Sequence, residues 1–233
     1  MSLQSLAAAR GVEVTAAASA DLLAVELAEQ VAQALGRAIE KRGRARLALS
    51  GGRSPEAFLR CLDELPVDWE RVDMTLVDER WVAMSDGASN AGMLRRCLPR
   101  GCATARFMPL YRGVSPAHDA RDVGRELANW LPLDVVVLGM GADGHCASLF
   151  KGQPQLSALL QVDQPTLCSA VQAPDDSPRI TLTAAALHSA SLQLLAISGD
   201  DKYRALCQAF TAGSEQMPVA AFLAPPLHIF YSP

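Results

Sequence analysis

Apolar residues follow two rhythms along this chain, and their alternation predicts the fold class. From Ser19 or Asp21 to about residue 41, Leu22, Leu23, Leu27, Val31, Ala34, Leu35 and Ile39 recur with a helical period, and Gly43 closes the run. A short extended run follows at once, Ala45-Arg46-Leu47-Ala48-Leu49, broken by Ser50-Gly51-Gly52-Arg53-Ser54-Pro55. Pro55 suits the first turn of a helix reaching about residue 62. The alternation then repeats. A strand over 74–77 ends in Asp78-Glu79-Arg80, a loop leads to Ser89-Asn90 and a helix through 98, and a helix over 116–131 precedes a strand over 133–138. Strands are expected over 167–171, 192–198 and 227–231, and a helix over 200–210, while 180–190 reads equally as extended or helical. The expected architecture is α/β: a doubly wound, mostly parallel sheet with helices on both faces.

Leu133 to Phe150, LDVVVLGMGADGHCASLF, is the most informative stretch. A β-branched run ending in glycines marks a buried parallel strand that delivers a loop at its carboxyl end. In open α/β sheets that end is where ligands bind. Asp143 and His145 therefore stand at the expected mouth of a pocket. An imidazole suits proton transfer near neutrality, and a nearby carboxylate can fix its tautomer. Gly139, Gly141 and Gly144 permit backbone positions that other residues resist, and could aim N–H groups at a developing oxyanion. The plain alternative is a capping Asp and a surface His.

Three further segments carry candidate chemistry. Ser50-Gly51-Gly52-Arg53-Ser54 joins a strand to a helix start, where backbone N–H groups can meet an anion. It lacks the Walker spacing, and a simple tight turn is the alternative. Asp78-Glu79-Arg80-Trp81 could orient a polar substrate or a water, or form a surface ion pair. Arg179 and Lys202 each could reach a phosphate or be solvated charges. His118, His188 and His228 have no ligand spacing with one another, so no metal site is expected. Cys146 has no visible base of its own, which argues against a nucleophile.

Composition narrows the function classes. Half of the 233 residues are hydrophobic, enough for one large α/β domain spanning 1–233, with two small domains as the other option. A net charge of −4 argues against a nucleic-acid surface. The six cysteines are scattered without a C-x-x-C, which fits free thiols in a reducing compartment. Arg10, Glu13 and Thr15 interrupt the Ala-rich start, so it does not read as a signal peptide, and no apolar run approaches a membrane span. A cytoplasmic protein without membrane or nucleic-acid partners is expected, as a monomer or small homo-oligomer.

In this order the segments resemble the 6-phosphogluconolactonase family. The matching pieces are Leu49-Ser50-Gly51-Gly52 with Ser54-Pro55, Asp78-Glu79-Arg80-Trp81-Val82, Ser89-Asn90, and Gly139 to His145 with Ala147 to Phe150. Pro178 to Thr183 and Gly199-Asp200-Asp201-Lys202 complete the set. The family's fold resembles that of the glucosamine-6-phosphate deaminases, a Rossmann-like three-layer arrangement. Those enzymes usually carry Asp-Glu-Tyr at the second piece and Ile-Ala-Phe-Asn-Glu after the His. Cys146 to Phe150 here favours the lactonase. Position 146 is usually Thr in lactonases, and Arg53 stands where Ser is common.

The resemblance implies hydrolysis of 6-phospho-D-glucono-1,5-lactone to 6-phosphogluconate in the pentose phosphate pathway, with a small-molecule sugar phosphate as partner. His145 would act as base, oriented by Asp143, with Arg80 and loop N–H groups at the oxyanion. Ser50, Gly51, Gly52, Arg53, Ser54, Arg179 and Lys202 would clamp the phosphate, and Asp78, Asn90, Gly141 and Gly144 would complete the substrate site. A lactone is already an activated ester, so no metal, cofactor or covalent intermediate is implied. Two rivals remain at this point: an isomerising glucosamine-6-phosphate deaminase, and a non-catalytic sugar-phosphate-binding regulator, which could afford to lose Asp143 and His145.

Overall fold

Residues 1–52 and 54–233 are described by the structure, a computed structural model. Its strands are β1 (Glu13–Ala16), β2 (Ala45–Leu49), β3 (Val72–Leu76), β4 (Asp78–Arg80), β5 (Arg106–Met108), β6 (Val135–Gly139), β7 (Cys168–Gln172), β8 (Pro178–Leu182), β9 (Leu192–Ser198) and β10 (Leu227–Ser232). Its helices are α1 (Leu3–Ala8), α2 (Ala20–Arg42), α3 (Glu56–Glu64), α4 (Asn90–Cys97), α5 (Pro99–Thr104), α6 (Pro116–Leu127), α7 (Leu156–Leu159), α8 (Ala184–Leu187) and α9 (Asp200–Ala209).

Seven strands form one parallel sheet in the order β1-β10-β9-β6-β2-β3-β5. The inner strands are mostly apolar because helices and loops cover both of their faces; Leu47, Leu49, Val135 and Val136 are wholly buried. After β2 the chain builds outward through β3 and β5, then returns to place β6 on the other side of β2. The order therefore reverses between β2 and β6, and the loops leaving their carboxyl ends diverge to open a crevice. Ser50 ties the two ends together: its N–H and Oγ donate to Val137 O at 3.0 and 2.9 Å, and its Oγ accepts from Gly139 N–H at 3.0 Å.

The expected parallel sheet is present, with differences in detail. A second, antiparallel sheet of three strands, β4-β8-β7, was not foreseen. Asp78–Arg80 does not end the strand before it. The chain leaves the large sheet at Val77, whose N–H still bonds Leu49 O at 2.9 Å while its carbonyl accepts from Leu182 N–H at 2.8 Å. The ambiguous 180–190 segment divides into the end of β8 and the short α8. Helix α6 stops at Leu127, short of residue 131, where the approaching Pro132 could not have continued it. The N-terminal residues, left without elements by the sequence reading, form α1 and the edge strand β1 against β10. No helix among the described residues is long and apolar enough to cross a membrane.

Candidate functional site

At the crevice lies a cavity of about 620 Å³. Its wall brings together Ser50, Gly51, Gly52 and Ser54 from the loop after β2, Asp78 and Arg80 from β4, Asn90 at the start of α4, Gly141, Asp143 and His145 from the loop after β6, Arg179 from β8 and Lys202 from α9. Residues separated by more than a hundred positions thus meet at one sheet edge. Arg53 lies outside the described residues. Gly144 does not line the cavity; it takes a left-handed φ of 81° and packs against Met217.

The loop after β6 holds an imidazole in one orientation. Asp143 Oδ1 lies 2.5 Å from His145 Nδ1 and also accepts the His145 backbone N–H at 3.3 Å. The ring leans on Phe150, with centroids 4.7 Å apart. Gly141 is required by this arrangement, because a Cβ there would overlap the His145 ring. Burial opposes ionisation of Asp143, yet the adjoining imidazole and the backbone N–H outweigh it and hold the carboxyl below its ordinary value. With Nδ1 engaged by the carboxylate, Nε2 has no hydrogen-bond partner among the described residues.

The glycines of this loop do not supply the expected oxyanion donors. Gly139 N–H donates to Ser50 Oγ, Gly141 N–H to His145 O at 2.9 Å and Gly144 N–H to Gly141 O at 3.0 Å. Those bonds hold the loop's own shape, so the N–H groups are already spent. The cations fare differently. Arg80 and Arg179 stand directly opposite each other across β4 and β8. Burial first, then the charge of Arg80, pushes the Arg179 pKa down. Arg179 Nε donates to Ser177 Oγ at 3.1 Å, and Asp175 lies 4.0 Å away. Lys202 Nζ reaches Ser54 Oγ at 3.3 Å, and burial lowers its pKa.

Asp78 and Asn90 join the two halves of the wall. Asp78 Oδ2 accepts from Ser148 Oγ at 2.6 Å, fastening the loop after β6 to the small sheet. Asn90 Nδ2 donates to Asp78 O at 2.9 Å, and Asn90 Oδ1 accepts from the Arg80 guanidinium. Sequence reasoning did not single out Ser148, Phe150 or Asp175 as site residues, although all three sit in or beside quoted motifs. Cys146 is wholly buried and its thiol is pushed far up by burial, then by Asp78, which leaves it unreactive. Among the described residues no cluster of three or more His, Cys, Asp or Glu is placed to hold a metal ion.

The model of the family described as glucosamine-6-phosphate isomerases/6-phosphogluconolactonase matches residues 18–228. The chain belongs to this family. A 6-phosphogluconolactonase of Pseudomonas aeruginosa is 43% identical, covering 100% of both chains, and one of Rhizobium meliloti is 42% identical over 91% of this chain and 94% of its own. Among solved structures of the family, a 6-phosphogluconolactonase from Shewanella baltica superposes with a TM-score of 0.90 at 32% identity, covering 95% of this chain and 98% of that one. A monomeric glucosamine-6-phosphate deaminase shares the fold with a TM-score of 0.80 at 17% identity, over 95% and 97% of the two chains.

Proposed function

We propose that this enzyme hydrolyses 6-phospho-D-glucono-1,5-lactone to 6-phosphogluconate, the oxidative pentose phosphate pathway step that the names of its full-length relatives support. The observation that carries the reading is the oriented Asp143–His145 pair sharing one cavity with Arg80, Arg179 and Lys202. The lactone's phosphate sits among Ser54, Lys202, Arg179 and the N–H groups of Gly51 and Gly52, which make no other hydrogen bond among the described residues. Gripping that remote anion holds the carbonyl in attack geometry.

His145 Nε2 takes a proton from water as its oxygen attacks C1. Asp143 steadies the resulting imidazolium. The carbonyl oxygen gathers charge and meets Arg80, the donor that remains once the loop glycines are committed elsewhere. Collapse of the tetrahedral carbon breaks its bond to the ring oxygen, which receives the proton from His145. The carboxylic acid so formed releases its own proton to solvent near neutrality, so the product carries one negative charge more than the lactone.

Replacing His145 by Ala should lower kcat by about 10²–10⁴-fold with the fold unchanged. Decay of freshly generated 6-phosphogluconolactone, followed with correction for spontaneous opening, measures this. Near-normal turnover by the variant would remove His145 from the mechanism.

A further inference from the structure

Strand β4 alternates, as strands must: Asp78 and Arg80 face the cavity, and Glu79 between them points away beneath the start of α4. Glu79 is 1% exposed. No lysine or arginine side chain among the described residues pairs with it; its charge is met by four neutral donors. Oε1 accepts from Arg80 N–H at 2.8 Å and Asn90 N–H at 2.7 Å. Oε2 accepts from Ala91 N–H at 2.8 Å and Ser89 Oγ at 3.1 Å. One carboxylate thus grips the backbone of both residues whose side chains meet in the cavity wall, where the Arg80 guanidinium donates to Asn90 Oδ1.

We infer that Glu79 is a positioning residue for lactone hydrolysis, fixing from behind the wall where the Arg80 guanidinium lies. This rests on the reading of Arg80 as the oxyanion donor. A helix start needs its first N–H groups satisfied, and a Ser, Thr or Asn could do that locally. Ser89 already does so for Gly92 N–H at 3.0 Å. A buried carboxylate is a costly way to satisfy two more. Burial does push the Glu79 pKa up despite its four donors. What the carboxylate adds, and a local cap would not, is a rigid link between Arg80 on one element and Asn90 on another. Guanidinium placement matters most when charge develops, so the consequence belongs to kcat and not to substrate binding.

The test is a set of variants of the full chain assayed for lactone hydrolysis, with thermal melts for each. Glu79→Gln keeps the shape but can accept at only one of the two oxygen positions, so two of the four donors lose their partner. It should lower kcat by about tenfold or more, the worth of one charge-assisted hydrogen bond, and leave KM within about twofold. In an Arg80→Ala background the same substitution should cost almost nothing more, because the group it positions is gone. Ser89→Ala loosens the helix start while leaving the grip on Arg80 and Asn90; it should lower Tm without lowering kcat. Should the Gln variant not fold, Glu79→Asp carries the test, since it keeps the charge and withdraws the carboxylate by one methylene. Unchanged kcat, a loss repeated in full on Arg80→Ala, or an equal loss from Ser89→Ala overturns the inference. Failure of the functional reading shows separately, as absence of lactone turnover by the unaltered protein or full turnover by His145→Ala.

Discussion

A methyl group on Gly51 would fall on the side-chain amide of Asn90. Asn90 has nowhere to retreat, since Asp78, Arg80 and Glu79 hold it on three sides. Gly51→Ala should therefore displace the Arg80–Asn90 wall and lower kcat/KM by about a hundredfold, the scale expected for an ångström of misplacement; steady-state kinetics on the soluble variant checks it. The glycine motif was legible in the sequence, but its reason was not. The expectation was backbone freedom near an anion, and the close approach to a residue almost forty positions away depends on packing no local pattern encodes. Asp143 gives a second prediction at this scale. Its lowered carboxyl pKa means its contribution to stability is complete above the ordinary aspartate value and is lost only as pH falls through the lowered one. It is thus ionised wherever His145 works near neutrality. Asp143→Asn removes the charge that stabilises the imidazolium formed during the reaction, so kcat/KM at neutral pH should fall by about a hundredfold or more. Undiminished steady-state kcat/KM in that variant would contradict the pairing.

Helix α6 shows what a single buried carboxylate does for an element. Asp119 is fully buried in its first turns and accepts from Trp81 Nε1 at 2.9 Å, Arg112 N–H at 2.8 Å, Gly113 N–H at 3.0 Å and Val114 N–H at 3.3 Å. It joins the loop after β5 and the chain just past β4 to the helix. Burial resists its ionisation, but those donors prevail and its pKa is lowered. Oδ2 meets three of these donors and Oδ1 the fourth, so Asp119→Asn, with one acceptor oxygen, leaves at least one donor facing an NH₂ group and should cost about 2–4 kcal/mol by denaturant unfolding at neutral pH. The gap should shrink as pH falls through the lowered carboxyl pKa, because protonation weakens the same bonds in the unaltered protein. None of this was readable beforehand, since Asp119 looks like any exposed helix-start acid. Strands β2 and β9, by contrast, were legible to the residue, because each is a mostly apolar run with one plain stop. The small antiparallel sheet was hidden because β4 follows β3 after a single residue and carries only polar side chains. Without strand register nothing indicates that Arg80 will face Arg179.

The molecule as a whole is two sheets meeting over one crevice, and the cations that face it come from both. Arg179 rides on β8 of the small sheet, whereas Lys202 begins α9 beyond β9 of the large one and touches Ser54 from the loop after β2. The motifs at strand ends made a shared site legible in the sequence; which sheet each would ride on was not, because strand order is settled by contacts distant in sequence. Burial disfavours the charge on both Arg179 and Lys202 in the free protein. A bound phosphate would answer both charges at once and brace one sheet against the other. The product 6-phosphogluconate, at about a hundred times its Kd, should then stabilise the folded chain by about 2.7 kcal/mol and raise Tm by about 5–10 °C. Arg179→Ala and Lys202→Ala each remove an incompletely answered charge, so Tm without ligand should stay close to that of the unaltered protein. At the same ligand concentration each should lose most of the rise, and KM for the lactone should increase more than kcat falls. Thermal melts with and without 6-phosphogluconate measure this. Undiminished ligand shifts in both variants would place the phosphate elsewhere in the cavity.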